Sequence, residues 1–249
     1  MQMLNSAKWS ARTGFCALIV LAATALWPAM AAEIGTTVVV VSNVMGTVKT
    51  VSRQLVINDN VEQDELIATA PDAATQIQFV DGTKVTLGPN AKVVLDKFVY
   101  DPSPGKGALV LSVSQGVLRF TTGNMAHENY KIVTPTGTLG VRGTDLNILV
   151  GGGQTLIQVI DGSVSGSTTD GVMKIFNKGD CFSITGSARQ LGFINPCSVN
   201  ELSFINTQST VMNTMILAAI NPTGGPQNLV IPADVVPPVF VTPPASPRQ

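Results

Sequence analysis

Thr75-Gln76-Ile77-Gln78-Phe79-Val80-Asp81-Gly82-Thr83-Lys84-Val85-Thr86-Leu87 is the stretch on which the fold class turns. Polar and apolar residues alternate on both sides of Asp81-Gly82, as in two half-buried strands joined by a tight turn. Working outward, Gly88-Pro89-Asn90 ends the second strand and Lys92–Leu95 starts another, while Thr37–Val41 is β-branched upstream. Downstream, Ala108–Val113 runs through Gln115-Gly116 into Val117–Phe120, and Thr155–Ile160 through Asp161-Gly162 into Ser163–Ser165. Val172–Phe176 leads through Lys178-Gly179-Asp180 to Cys181–Ile184. Many short strands with turn signals, and no helical pattern between them, predict an all-β domain: a short-stranded sandwich or roll, or a solenoid-like form. Asp161-Gly162 reads as turn chemistry rather than as a ligand.

The flanks differ in kind. Lys8 and Arg12 precede a thirteen-residue apolar run, Phe15–Trp27, followed by Pro28-Ala29-Met30-Ala31-Ala32. A basic start, a short apolar core and small residues at the cut form a secretory signal peptide, with cleavage expected at Ala31 and Ala32. The run is short for a bilayer span, which takes about 20 residues, although an uncleaved N-terminal anchor is the alternative. Beyond the β-domain, Ser198 and Glu201 make a capping box ahead of Leu202, Ile205, Met212, Met215, Ile216 and Ala219. These fall mostly on one helical face, expected to pack across an open end of the β-domain. Asn221-Pro222 stops the helix, and eight of the fifteen prolines fall within residues 221–249. Proline removes N–H donors and locks φ, so this tail is expected to be disordered with polyproline-II character. The resulting division is 1–32 signal peptide, 33–187 β-domain, 188–221 helical extension and 222–249 Pro-rich tail.

Composition narrows function. The 249 residues carry 15 Lys+Arg against 16 Asp+Glu, one His and 12% charged residues. A net charge of −1 argues against nucleic-acid binding, which needs clustered cations. Loss of the leader leaves 13 basic against 16 acidic residues and removes both Trp9 and Trp27, so an aromatic sugar-binding platform is disfavoured. Cys181 and Cys197 then remain, candidates for one disulfide in an oxidising compartment, or else two buried thiols. His127 lies in a polar turn with no evident partner, and no nucleophile elbow, zinc-protease or phosphate-loop motif occurs. Asp59, Glu62, Asp64 and Glu65 form an acidic cluster, read as a solvated loop in preference to a Ca²⁺ site because the spacing does not fit an EF-hand. No enzyme, cofactor or metal is expected.

Tyr130-Lys131-Ile132-Val133-Thr134-Pro135-Thr136-Gly137-Thr138-Leu139-Gly140-Val141-Arg142-Gly143-Thr144-Asp145-Leu146 resembles the signature of FecR domains. The Phe79–Pro89 hairpin, Leu111–Phe120 and Gln158–Val164 resemble that family's flanking steps, so the likeness spans about residues 45–185. It implies an exported β-rich module that binds or senses a protein or another envelope component. The periplasm is the expected location, with the cell surface or medium as alternatives, and the signal peptide gives only transient membrane contact. The chain resembles a stand-alone FecR-domain protein without the anti-sigma segment of the sigma-regulator branch. The alternative is a structural or interaction protein that docks through its Pro-rich tail. Within the signature, Thr134, Pro135, Gly140, Arg142, Gly143, Thr144 and Asp145 are the motif residues. Gly140 and Gly143 permit a tight course or bulge around Arg142. Arg142 is expected to turn inward and pair with Asp145 or Asp81, with an anionic ligand as the alternative.

Overall fold

A computed structural model of the protein describes residues 33–101, 107–187 and 190–221. The expected signal peptide, 1–32, and the Pro-rich tail, 222–249, lie outside the described residues. In chain order the strands are β1 (Glu33–Val41), β2 (Val44–Val48), β3 (Val51–Gln54), β4 (Asn60–Glu62), β5 (Leu66–Thr69), β6 (Ala74–Phe79), β7 (Lys84–Leu87) and β8 (Lys92–Val99). They continue as β9 (Ala108–Thr121), β10 (Tyr130–Thr134), β11 (Gly137–Gly151), β12 (Gln154–Thr168), β13 (Met173–Asn177), β14 (Cys181–Ser187) and β15 (Gln190–Pro196). One helix, α1 (Val199–Ile220), follows.

All-β is the observed class, with one C-terminal helix and an open sheet. The β6–β7 hairpin forms around Asp81-Gly82 as the alternation predicts. The strands are not uniformly short. β9, β11 and β12 run 14, 15 and 15 residues because Gly116, Gly143 and Gly162 bend them instead of ending them. Each long strand changes neighbours at its bend. The first part of β9 pairs with β8 and β10, and the part after Gly116 pairs with β7 and β11. β11 pairs with β10 before Arg142 and with β9 from Asp145 on. β12 pairs first with β14, then beyond Asp161 with β13. β13 and β14, which the sequence presents as neighbours across a turn, therefore do not form a hairpin.

The long strands thus fold the sheet into two layers. The first runs β3-β2-β5-β8-β9-β10-β11-β12-β13, and the second β4-β1-β6-β7-β9-β11-β12-β14-β15. Ile77, Leu111, Ile132, Leu139, Ile148, Ile157 and Phe182 are fully buried in a single core between them. Each such side chain contributes about 1.5–3 kcal/mol. Phe79–Phe98 and Phe120–Tyr130 ring contacts, at 5.4 and 5.9 Å, cross from one layer to the other.

β15 carries the sheet to Pro196, beyond residue 187 where the sequence reading ended the β-domain. α1 then starts on the expected capping box: Glu201 N donates to Ser198 Oγ, and Ser198 N to Glu201 Oε2. The helix does not close an end of the sandwich; it lies on the outer face of the second layer, where Met215 and Ile216 pack on Val39 and Ala74. Its buried stripe is Ile205, Gln208, Ser209, Met212, Met215 and Ile216. Leu202 and Ala219, expected on that face, are exposed. Among the described residues no helix is long and apolar enough to cross a membrane.

Candidate functional site

The signature stretch divides between two places, because the first part of β11 separates its ends. At the later end, β11 bends. Gly143 has φ +59° and its partner across the strands, Gly162, has φ +77°. A Cβ on Gly162 would lie 2.1 Å from the Gly143 carbonyl oxygen, so the two bent strands meet backbone to backbone. Thr144 pins this corner: its N–H donates to Thr122 Oγ1 at 3.0 Å and its hydroxyl to the Ser163 carbonyl at 3.1 Å.

The bend also decides the charges. Arg142 does not turn inward. It is exposed on the outer face of the first layer, whereas Asp145, past the bend, faces outward from the second. Asp145 pairs instead with Arg119 of β9, which donates from Nε to Oδ1 at 2.8 Å and from Nη2 to Oδ2 at 2.5 Å. The hydrogen bond to Asp145 holds the Arg119 guanidinium further toward its charged form, against the cost of burial. Asp81 is likewise occupied. Its carboxylate accepts from Thr83 N, Thr83 Oγ1 and the Tyr130 hydroxyl, at 3.0, 2.6 and 2.9 Å. Burial pushes the Tyr130 hydroxyl up to about 12, so it remains a donor at neutral pH. His127 is exposed, in a short 3₁₀ turn against Gly143, where an added Cβ would come within 2.8 Å of its ring.

The acidic cluster is not a wholly solvated loop. Glu65 is completely buried, and Arg53 reaches into the group, contacting Glu65 Oε1 at 3.1 Å, Asp59 Oδ2 at 3.5 Å and the Asn60 carbonyl at 2.5 Å. A guanidinium thus stands where a cation would. Burial pushes the Glu65 carboxyl above its usual range, with Arg53 opposing. Among the described residues no group of His, Cys, Asp or Glu could hold a metal ion. Cys181 and Cys197 are joined, Cα atoms 5.3 Å apart, and Cys197 N–H donates to the Cys181 carbonyl. The bond ties β14 to the residue before the helix cap.

At its earlier end the signature lines a cleft. Thr134 ends β10 and Pro135-Thr136 form the β10–β11 turn, where Thr134, Thr136 and Thr155 link their hydroxyls at 2.8–3.4 Å. Pro135 and Thr136 border a cavity of about 490 Å³ beneath the first half of α1. Val117, Leu149, Leu156 and Phe204 supply apolar wall; Asn90, Gln115, Gln154 and Gln208 supply amides; no charged side chain lines it. Between the two ends the strand alternates: Leu139 and Val141 point into the core, while Thr138, Gly140 and Arg142 belong to the first layer's outer face. Lys131 lies opposite Gly140 and Val110, Val110 opposite Lys97, and Arg142 opposite Ser163. Lys97, Lys131 and Arg142 are all exposed, and nearby Asp96 is engaged by the Ser112 hydroxyl. Sequence reasoning missed Arg119 and the cleft. Arg119 carried a signal, a lone cation between core residues Leu118 and Phe120, which marks an outward position on a strand.

These features define a bent two-layer β-domain whose buried charges are matched internally and whose outer face is open on one side. Residues 65–165 match the family described as FecR protein, from buried Glu65 to Ser165 just beyond the β12 bend. No curated protein matches the sequence. Two crystal structures, each of a candidate anti-sigma factor from Parabacteroides distasonis ATCC 8503, are similar at 13% identity with TM-scores of 0.44 and 0.41. The similarity covers 55% of this chain and 62% of theirs, less than two thirds of those proteins.

Proposed function

We propose that this is an exported, non-enzymatic FecR-domain module that binds an acidic protein partner in the cell envelope through the outer face of its first layer. The observation that carries the reading is the row of exposed cations, Lys97, Lys131 and Arg142, on the layer that α1 leaves open. Arg142 has no structural duty at the bend, which Thr144 and the Arg119–Asp145 pair maintain. Exposed cations gathered on one face favour association with an acidic partner through electrostatic steering. The leader pattern and the disulfide support export.

The test has two arms. Protein recovered from the envelope fraction should begin at Glu33; an intact leader on all of it defeats the export arm. Cross-linking through the cationic face, followed by partner identification, should yield an acidic protein whose association weakens with salt. Lys97→Glu, Lys131→Glu and Arg142→Glu together should abolish that association with thermal stability retained. Undiminished association in that variant defeats the binding arm.

A further inference from the structure

We propose that the cleft beneath the first half of α1 is the docking site for the chain's own segment Pro237–Pro244, which reads PPVFVTPP. The inference is independent of the reading above, because it concerns the opposite layer and an intramolecular contact.

The chemistry of the two surfaces matches. A cavity of about 490 Å³ with no charged lining side chain recognises nothing by charge, and Pro237–Pro244 carries none. Four of the segment's eight residues are prolines, so its backbone is rich in carbonyl acceptors and poor in N–H donors. The cleft can meet those carbonyls with the side-chain amides of Gln154 and Gln208, beside the apolar surface of Phe204. Proline rings and Phe240 would lie on Phe204, Val117 and Leu149, in the way polyproline segments occupy aromatic-walled grooves.

The reach suffices. Gln208 lies twelve residues before the end of α1, about 18 Å back along the helix at the usual rise. Pro237 follows Ile220 by seventeen residues, about 50 Å of extended polyproline chain. Gly224-Gly225 allows the chain to reverse. Tethering raises the local concentration of the segment to about the millimolar range, so modest intrinsic affinity fills the cleft. Any outside occupant must then displace the tail, which makes the contact autoinhibitory for this cleft.

The experiment uses the full chain with benzoylphenylalanine in place of Phe240, irradiated at low concentration and mapped by mass spectrometry. The expected result is an intrachain adduct to Phe204–Gln208, Val117 or Leu149–Gln154. Its yield should fall by about tenfold in Phe204→Ser, the size of effect typical of losing an anchoring aromatic. Because Phe204→Ser could perturb α1, a second variant replaces Pro237, Pro238, Pro243 and Pro244 by Ser and leaves the sandwich untouched; it should lose the adduct equally. Adducts scattered over the surface, confined to pairs of chains, or absent overturn the proposal, as does an undiminished yield in the proline variant.

Discussion

Arg119 and Asp145 form a two-point ion pair between β9 and β11, with Nε–Oδ1 at 2.8 Å and Nη2–Oδ2 at 2.5 Å, immediately past the bend that exposes Arg142. Thr121 Oγ1 adds a third donor to Asp145 at 3.3 Å. The pair joins two strands on the part of the sheet where β10 no longer separates them.

Replacing Arg119 by Met should therefore cost about 1–2 kcal/mol, because a half-buried carboxylate loses its charged partner. Arg142→Ala should stay within about 0.5 kcal/mol, as exposed substitutions do. Urea unfolding measures both. Equal losses would return Arg142 to a structural role.

Gly162 and Gly171 separate backbone strain from collision. Both have positive φ, +77° and +95°, but an added Cβ meets the Gly143 carbonyl oxygen at 2.1 Å in the first case and nothing within 4 Å in the second. Gly171→Ala should cost about 1 kcal/mol through left-handed strain alone. Gly162→Ala should cost clearly more, about 3 kcal/mol or beyond, because the strands must part. Thermal unfolding of the two variants side by side decides it, and similar melting temperatures would dissolve the backbone-contact account of the bend.

Asp161-Gly162 also marks the limit of what local sequence can express. It carries the same turn signal as Asp81-Gly82, yet Asp81-Gly82 closes the β6–β7 hairpin and Asp161-Gly162 bends a continuous strand. The difference comes from Gly143, nineteen residues away, whose backbone meets that of Gly162. The hairpin and the Ser198/Glu201 cap were legible because their partners lie within a few residues. Asp145 finds its partner 26 residues away, so nearness in sequence pointed to Arg142 instead. The cleft was hidden for the same reason: it assembles from separate turns and a helix, none of which carries a signal by itself.

Glu65 makes stability fall as pH rises. Its carboxyl is pushed above 4.5 by burial, so between that ordinary value and the raised one the folded state binds more protons than the unfolded chain. Stability contributed by the protonated form is full below 4.5 and is lost as pH climbs through the raised value. Asp161 and Asp170 shift the other way, held down by Lys178 and by the Thr168 hydroxyl, and their contributions fade only as pH drops below 3.8. Urea titrations between pH 4.5 and 7 should therefore show a decline that Glu65→Gln flattens. An unchanged slope in the variant would mean that Arg53 already compensates the buried charge in full.

The Cys181–Cys197 bond should protect the helix more than the sandwich. It closes a loop of sixteen-residue separation, for which chain entropy gives about 3 kcal/mol. It also holds Cys197 next to the Ser198 cap, through the Cys197 N–H to Cys181 carbonyl hydrogen bond. With both cysteines replaced by Ser, global stability should fall by about that 3 kcal/mol. Amide exchange in α1 should rise well before exchange in β9, β11 and β12, since local opening needs few core contacts broken. Uniform loss of protection across helix and sheet would show that α1 unfolds only together with the sandwich, held by Met212, Met215 and Ile216 rather than by its covalent anchor.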